Sequence, residues 1–273
     1  MSDFYGSDAF SPVEIARRIE SVGETKARMA LLPLALLGVL AGAFIGLGAM
    51  LFVLVKSDAS LGFASSALLG GLVFSMGLLM VVVAGAELFT GNNLIVMAWA
   101  DGRIGAWQVL RNWVVVCLAN LLGAAGLAVL VFASGHTDLN DGAVGLQVVK
   151  IALTKQQLPF GTALARGVLC NILVCVAVWM AMAGRSVVDK AVAVMLPVMA
   201  FVAAGFEHSI ANMYLMPLAM LVQHGSVTLP PSPHVTWAGL GGNLLPVILG
   251  NLLGGAVLVA GVYHVIYRRK PQA

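Results

Sequence analysis

The stretch Ala204-Gly-Phe-Glu-His-Ser-Ile-Ala-Asn212 places a glutamate, a histidine and an asparagine inside a long apolar segment. A second stretch, Ala84-Gly-Ala-Glu-Leu-Phe-Thr-Gly-Asn92, repeats Ala, Gly, Glu and Asn at the same spacing. Ionisable residues inside membrane segments are rare and commonly mark a functional path. The two matched stretches therefore indicate one central site, formed where two related parts of the chain meet.

The composition assigns the chain to the integral membrane proteins. Of its 273 residues, 60% are hydrophobic and only 10% are charged. Apolar runs of at least about 20 residues recur, as a membrane-spanning helix requires, whereas barrel strands are shorter and alternate. We predict an all-α integral membrane protein with six transmembrane helices, near residues 30–55, 64–100, 108–133, 162–183, 187–223 and 238–267.

The transmembrane helices are predicted to form an inverted 3+3 repeat. Asn120-Leu-Leu-Gly123 matches Asn251-Leu-Leu-Gly254, and another Asn precedes each by eight residues. Gly38-Val-Leu40 and Gly167-Val-Leu169 form a weaker match. Three spans per repeat require opposite orientations, and inverted repeats place a substrate path between them near the midplane. The predicted channel domain covers 29–267, with repeat one at about 29–133 and repeat two at about 160–267.

Helices two and five of this prediction are expected to be broken. Each occupies nearly 40 residues, which would extend about 55–60 Å as one straight helix, about twice the hydrocarbon thickness. We expect the breaks at the two polar stretches, with Gly91 supplying permissive backbone in the first. Irregular backbone at membrane depth is tolerated where it lines a cavity, and the exposed helix N-termini favour an anion.

The N-terminal segment, residues 1–28, predicts a short amphipathic helix on the membrane surface, because Ser11, Pro12 and Glu14 form a capping pattern. A plain linker and a pH-dependent lid are the alternatives. Eleven of the fifteen Lys and Arg residues fall in the N-terminal segment, the second and fourth loops and the C-terminus. The positive-inside rule then places both termini, including the tail 268–273, in the cytoplasm. The net positive charge of the chain is therefore explained by its orientation in the membrane and does not indicate nucleic-acid binding.

Several segments resemble the formate/nitrite transporter family, over nearly the whole chain from about residue 10 to 268. They are residues 87–91, 177–181, 184–186, 205–213 and 251–255. The resemblance implies an aquaporin-like protomer in the bacterial inner (plasma) membrane, a homopentamer with one pore per protomer, and movement of small monovalent anions. It implies a channel rather than an enzyme, with no cofactor and no metal.

The resemblance also implies a set of pore residues. His208 matches the central pore histidine, and Thr90 matches the loop residue opposite it. Other polar and charged residues of the family pattern fall at Asn171, Asn212, Lys155 and Glu207. The implied apolar constrictions and loop positions are Phe74, Leu78, Leu88, Phe89 and Phe201. Gly91, Asn92 and Asn93 depart from the small hydroxylated or apolar residues common in formate channels.

Structural roles remain open for several of these residues. Asn92 and Asn212 are equally suited to satisfying backbone groups exposed by the breaks. Glu87 and Glu207 are interpreted as structural locks bonded to loop N–H groups rather than acid-base groups. A membrane histidine can also act only in helix-helix hydrogen bonding, but the neighbouring Glu and the break favour a pore role for His208.

A proton-sharing mechanism follows from the free energies. An unpaired carboxylate crosses an apolar constriction only at a high free-energy cost, whereas neutralising a carboxyl of ordinary pKa at pH 7 costs about 4 kcal/mol. A histidine can supply that proton. The hypothesis is that helix dipoles and Lys155 attract the anion, His208 shares a proton, and a near-neutral acid passes the apolar gates.

Formate is the first candidate substrate, and nitrite, hydrosulfide and short carboxylates such as lactate are the alternatives within the same fold. A neutral-solute channel is disfavoured because the paired Asn-Pro-Ala motif of aquaporins is absent. An intramembrane enzyme using His208 and Ser209 is disfavoured because adjacent residues on one turn do not give a His-to-Ser transfer geometry.

Overall fold

The structure is a computed structural model that describes residues 9–225 and 234–268. Every regular element in these ranges is helical, which confirms the predicted all-α class. The helices are α1 (Pro12–Arg28), α2 (Leu31–Lys56), α3 (Phe63–Met80), α4 (Val96–Ala100), α5 (Ala106–Ala133), α6 (Ala143–Gln156), α7 (Phe160–Ala183), α8 (Val187–Ala203), α9 (Ser209–Gln223), α10 (Trp237–Leu252) and α11 (Val262–Tyr267).

Shorter helical turns extend or connect these helices. A π-helical turn, Val81–Gly85, continues α3, and a second, Leu253–Gly261, joins α10 to α11. A short 3-10 helix, Gly91–Ile95, leads directly into α4. Another, His136–Asp138, follows α5.

Five continuous helices of the described chain are long and apolar enough to cross a membrane, with mean hydropathies from 2.0 to 2.5. Two further apolar helices, α8 with 17 residues and α9 with 15, are shorter. They occupy the predicted fifth stretch, 187–223, and residues 204–208 separate them. The ranges of the five long helices are Leu31–Lys56, Phe63–Gly85, Ala106–Ala133, Phe160–Ala183 and Trp237–Tyr267.

Glycines allow the membrane helices to approach closely. In the pair α2 and α5, a Cβ atom added at Gly123 would overlap the carbonyl oxygen of Val39. In the pair α7 and α10, a Cβ atom added at Gly254 would overlap the carbonyl oxygen of Val168. Small residues at such crossings let helix backbones touch in a membrane. The two pairs have related contacts and hold the central site between them.

Helix α1 is fixed to the rest of the chain by a buried carboxylate. The side chain of Glu20 is fully buried and accepts hydrogen bonds from Arg103 at 2.9 Å and Arg268 at 2.7 Å. The ring of Phe10, just before α1, lies against the guanidinium groups of Arg18 and Arg185, 3.8 and 4.4 Å from its centroid. Arg269 and Lys270, included in the predicted tail, lie outside the described residues.

Helix α6 was not predicted from the sequence. It lies between the two proposed repeats and has only 14 residues, too few for a membrane span. The residue before the helix is Gly142, with a φ of +82°. Because glycine has no side chain, the helix begins without a side-chain cap. Lys155 lies in the last turn of this helix.

Candidate functional site

The membrane helices are interrupted at residues 86–90, the first interruption, and at residues 204–208, the second interruption. Gly85 and Gly205, at matched positions, adopt left-handed φ values of +85° and +69°. Glycine tolerates this conformation best. A backbone hydrogen bond spanning five residues closes each preceding turn, from Ala86 to Val81 and from Phe206 to Phe201, both at 3.0 Å. The expectation that Gly91 supplies the permissive backbone was wrong, since Gly91 begins a 3-10 helix.

The backbone of the first interruption is held by Asn120 of α5. Its Nδ2 atom donates to the carbonyl oxygens of Gly38 at 2.7 Å and Glu87 at 2.9 Å. Its Oδ1 atom accepts from the backbone N–H of Phe89 at 2.9 Å. These bonds satisfy groups that the broken helix leaves unpaired, which would otherwise be costly in a membrane.

The second interruption is held in the same way by Asn251 of α10. Its Nδ2 atom donates to the carbonyl oxygens of Gly167 at 2.9 Å and Glu207 at 3.1 Å. Its Oδ1 atom accepts from the backbone N–H of Ser209 at 3.1 Å. Asn120 and Asn251 are therefore equivalent residues in two copies of one arrangement.

Each interruption also carries a buried ion pair with a lysine from a short helix. In the first, Nζ of Lys26 on α1 lies 3.0 Å from Oε1 of Glu87. In the second, Nζ of Lys155 on α6 lies 2.8 Å from Oε1 of Glu207. Glu87 and Glu207 are both nearly inaccessible to solvent. Helices α1 and α6 therefore have the same function in the two halves, which is to neutralise a buried carboxylate.

Asparagines complete both ion pairs. Asn92 donates to Glu87 at 2.7 Å, and Asn212 donates to Glu207 at 2.7 Å. On α5, Asn112 accepts from Asn92 and donates to the carbonyl oxygen of Lys26. On α10, Asn243 accepts from Asn212 and donates to the carbonyl oxygen of Lys155. The side chains of Asn92 and Asn212 bond only other side chains, so the suggested role of satisfying backbone groups exposed by the breaks was wrong for these two residues. Asn112 and Asn243 bond backbone carbonyl oxygens instead.

The two interruptions meet at Thr90 and His208. The Oγ1 atom of Thr90 lies 3.0 Å from Nε2 of His208, and both side chains are buried. The carbonyl oxygen of Thr90 accepts from Asn171 at 3.3 Å and from Cys175 at 3.4 Å. Asn171 therefore supports the backbone of Thr90 and makes no hydrogen bond to His208.

The imidazole of His208 also caps α9. Its Nδ1 atom accepts a hydrogen bond from the backbone N–H of Ala211 at 3.2 Å. A backbone N–H can only donate, so Nδ1 carries no hydrogen in this arrangement and the ring proton resides on Nε2. The Nε2–H group therefore points at Thr90, whose own hydroxyl proton is left free to donate elsewhere.

Two separate cavities, which share no lining residue, lie at the two interruptions. The α1 cavity, of about 360 Å³, is lined by residues of α1 and of the first interruption, including Lys26 and Glu87. The α6 cavity, of about 250 Å³, is lined by residues of α6 and of the second interruption, including Lys155, Glu207 and His208.

The predicted constriction residues are divided between the cavities. Leu78 and Leu88 line the α1 cavity, whereas Phe74 and Phe201 line the α6 cavity. The rings of Phe74 and Phe201 meet edge to face with centroids 5.8 Å apart, and Phe201 stacks on His208 at 5.8 Å. The lining of these two cavities does not include Phe89, Thr90, Asn171 or Asn212.

Sequence reasoning missed Lys26 as a site residue. The weak match of Gly38 with Gly167 has an offset of 129, and the same offset aligns Lys26 with Lys155. Treating that match as informative would have extended both repeats toward the N-terminus.

A possible metal-ligand group, Glu20, Asp101 and His264, lies where α1 meets α11. Both carboxylates already accept from arginines, Arg103 and Arg268. The arginine beside Asp101 lowers the pKa of that carboxyl, because its hydrogen bond stabilises the charged form. Two guanidinium groups in the same cluster disfavour a bound cation, so the group serves to hold α1 in place.

The chain is similar over nearly its full length to known proteins. The family model described as Formate/nitrite transporter matches residues 13–265. The formate channel FocA of Escherichia coli is 38% identical over 280 residues, covering 96% of this chain and 96% of that protein.

Two solved structures have the same fold. A pentameric formate channel with formate bound is 37% identical, with a TM-score of 0.77, and the match covers 88% of this chain and 98% of that one. An ion channel of the FNT family is 31% identical, with a TM-score of 0.83, and the match covers 93% and 98%. The polar helix interruptions and these full-length matches lead to one conclusion: this chain is a multi-pass membrane protein that belongs to the formate/nitrite transporter family.

Proposed function

We propose that the protein is a transmembrane channel for small monovalent anions of weak acids, and that formate is its main substrate. The observation that carries this proposal is the buried contact of 3.0 Å between Thr90 and His208, with one cavity at each of the two interruptions. A path between the cavities has to pass this contact and the apolar side chains around it. The similarity to formate channels supports formate as the substrate.

The proposed architecture is six transmembrane helices in an inverted repeat, with α3–α4 and α8–α9 as the broken second and fifth spans. The matched hydrogen bonds of Asn120 and Asn251 support this repeat. The matched ion pairs extend it to include α1 and α6, which lie outside the boundaries proposed from the sequence.

The proposed assembly is a homopentamer in the bacterial inner membrane, with one pore in each protomer and both termini cytoplasmic. Similarity to a pentameric formate channel supports the assembly. The exposed leucines on the membrane helices are suited to contact with lipid or with other protomers. Examples on α5 are Leu118, Leu122 and Leu130, with 59%, 69% and 68% of their surfaces exposed.

The proposed permeation step uses hydrogen-bond donors that face the narrow part of the path. An anion that enters the α6 cavity reaches the Nε2–H of His208 and the hydroxyl of Thr90. Sharing a proton with these groups reduces the charge that must cross the apolar side chains, which lowers the desolvation cost. Complete transfer from His208 would require a second proton on Nδ1, which would displace the hydrogen bond from Ala211.

An enzymatic role for His208 and Ser209 has no support from the hydrogen bonds of the ring. Nδ1 accepts from Ala211, and Nε2 faces Thr90. Neither nitrogen is positioned to take a proton from Ser209, as a general base must.

Competition uptake tests the proposed substrate class. Proteoliposomes containing the wild-type protein are assayed for uptake of labelled formate, nitrite and glycerol, each measured separately, with protein-free vesicles as the background. Formate uptake is then repeated in the presence of nitrite, lactate or glycerol as competitors. We expect protein-dependent formate uptake that nitrite inhibits and glycerol leaves unchanged. Protein-dependent permeation of glycerol equal to that of formate would refute the anion channel, and uptake of nitrite without formate would transfer the assignment to nitrite.

A further inference from the structure

We propose that the α6 cavity is a capture site for the permeating anion, in which Arg166 and Lys150 are the anion-binding groups. The proposal rests on the proposed function and adds the place where the anion binds before it reaches His208. Arg166 and Lys150 both line this cavity of about 250 Å³.

The charges of the α6 cavity are not balanced. Its lining includes three cations, Lys150, Lys155 and Arg166, and a single carboxylate, that of Glu207. Glu207 is bound to Lys155 at 2.8 Å. Among the described residues, no carboxylate lies within salt-bridge distance of Lys150 or Arg166. Two uncompensated positive charges therefore face the cavity.

The other half of the molecule provides an internal comparison. The charged residues that line the α1 cavity are Lys26 and Glu87, which bind each other at 3.0 Å. The backbone N–H of Glu87 donates to the carbonyl oxygen of Leu37, as that of Glu207 donates to the carbonyl oxygen of Arg166. Leu37 and Arg166 are thus equivalent positions, and each lines its own cavity.

The difference between Leu37 and Arg166 is not the only asymmetry. Leu88 and His208 are also matched by the sequence repeat, and each lines the cavity on its side. The backbone framework is therefore repeated, while cationic and hydrogen-bonding side chains are concentrated on the α6 side.

The size and charge of the cavity define the ligand class. A water molecule occupies about 30 Å³, so the cavity accommodates a small anion with part of its hydration shell. A cleft lined by one sign of charge raises the local concentration of ions of the opposite sign. The site therefore selects small monovalent anions by charge, without distinguishing formate from nitrite.

Concentration-dependent uptake from each face tests the capture site. Right-side-out and inside-out membrane vesicles provide the two faces, and their orientation is checked by labelling Ala59→Cys with a membrane-impermeant maleimide. Ala59 is exposed in the loop between α2 and α3. Initial rates of labelled formate influx are measured for the wild type, Arg166→Gln, Lys150→Gln and the control Lys56→Gln, whose lysine lines neither cavity.

We expect each of the two cavity substitutions to raise the half-saturating formate concentration at the α6 face about fivefold, the effect of one charge at contact distance in water. The α1 face and the Lys56→Gln variant should keep wild-type values. The reciprocal variant Leu37→Arg should lower the half-saturating concentration at the α1 face. Raising the salt concentration should reduce these differences.

The proposal is overturned if Arg166→Gln and Lys150→Gln both match Lys56→Gln at the α6 face. Lys150 is exposed, so its variant decides the matter even if the Arg166 variant does not fold. Saturable formate uptake that is insensitive to both substitutions would remove the capture site and leave the proposed function intact. Absence of protein-dependent formate uptake in the wild type would overturn both.

Discussion

The Nε2 atom of His208 lies 3.0 Å from the Oγ1 atom of Thr90, a residue 118 positions earlier in the chain. The contact connects the two interruptions of the membrane helices. Because the Nδ1 atom of the same ring caps α9 through Ala211, the position of the ring is fixed at both nitrogens. This relationship determines which atoms can face an anion.

We predict that His208 carries its ring hydrogen on Nε2 and none on Nδ1. The reason is that Nδ1 accepts from a backbone N–H, which cannot reverse its role. Nitrogen NMR of ¹⁵N-histidine-labelled protein in proteoliposomes checks this, with the His208 signals assigned by their loss in His208→Asn. A protonated Nδ1 in the resting protein would show that the cap, and the donor assignment derived from it, is incorrect.

Removal of Glu207 should strongly destabilise the fold. Glu207→Ala leaves the ammonium group of Lys155 and the amide of Asn212 without their carboxylate partner. Breaking one side of a buried ion pair costs about 3–5 kcal/mol. Denaturant titration of the purified protein in mixed micelles measures the change in the free energy of unfolding.

The matched control is Glu24→Ala, which breaks the exposed pair of Glu24 with Arg28 on α1. An exposed pair contributes about 0–1 kcal/mol, so this variant should unfold nearly as the wild type does. Equal effects of Glu24→Ala and Glu207→Ala would contradict the structural role given to the buried pair.

Because α2 and α5 approach closely, alanine substitutions at two glycines of α5 should have different effects on thermal stability. Gly123→Ala would place a methyl group onto the carbonyl oxygen of Val39, whereas a Cβ atom at Gly126 meets nothing within 4 Å. Overpacking costs about 1–3 kcal/mol, and Ala in an open helical position stabilises by about 0.5–1 kcal/mol relative to Gly. Thermal unfolding should therefore give a lower midpoint for Gly123→Ala than for Gly126→Ala. A reversed order would mean that the helices are further apart than described.

The repeated polar stretches allowed much of this site to be predicted. Glu87 and Glu207 were predicted to be structural locks bonded to loop N–H groups. The predicted partners were wrong, because each carboxylate is bound by the side chains of a lysine and an asparagine. The contact of Thr90 with His208 was implied by family resemblance. Spacing within the sequence alone would not have brought these two residues together.

Other parts of the site depend on tertiary contacts that have no strong local signal. Lys26 was grouped with the basic residues at the cytoplasmic end. Its pairing with Glu87 has no local sequence signal, because the two residues are 61 positions apart in the chain. Helix α6 lacks both a side-chain cap and the length of a membrane span. The turn before the first interruption is formed by Gly85 rather than Gly91, a choice set by a backbone hydrogen bond from Ala86 to Val81.

Formate uptake by His208→Asn as a function of pH tests whether His208 shares a proton with the permeating anion. Asparagine is a good N-cap residue, so this variant removes the imidazole while retaining a cap for α9. His224→Asn, at the other end of α9, is the matched control, and rates in protein-free vesicles are subtracted to remove diffusion of the undissociated acid. We expect protein-dependent uptake by the wild type and by His224→Asn to increase as the pH falls, and His208→Asn to lose this increase. A pH dependence of His208→Asn identical to that of the wild type would show that His208 does not share a proton with the anion.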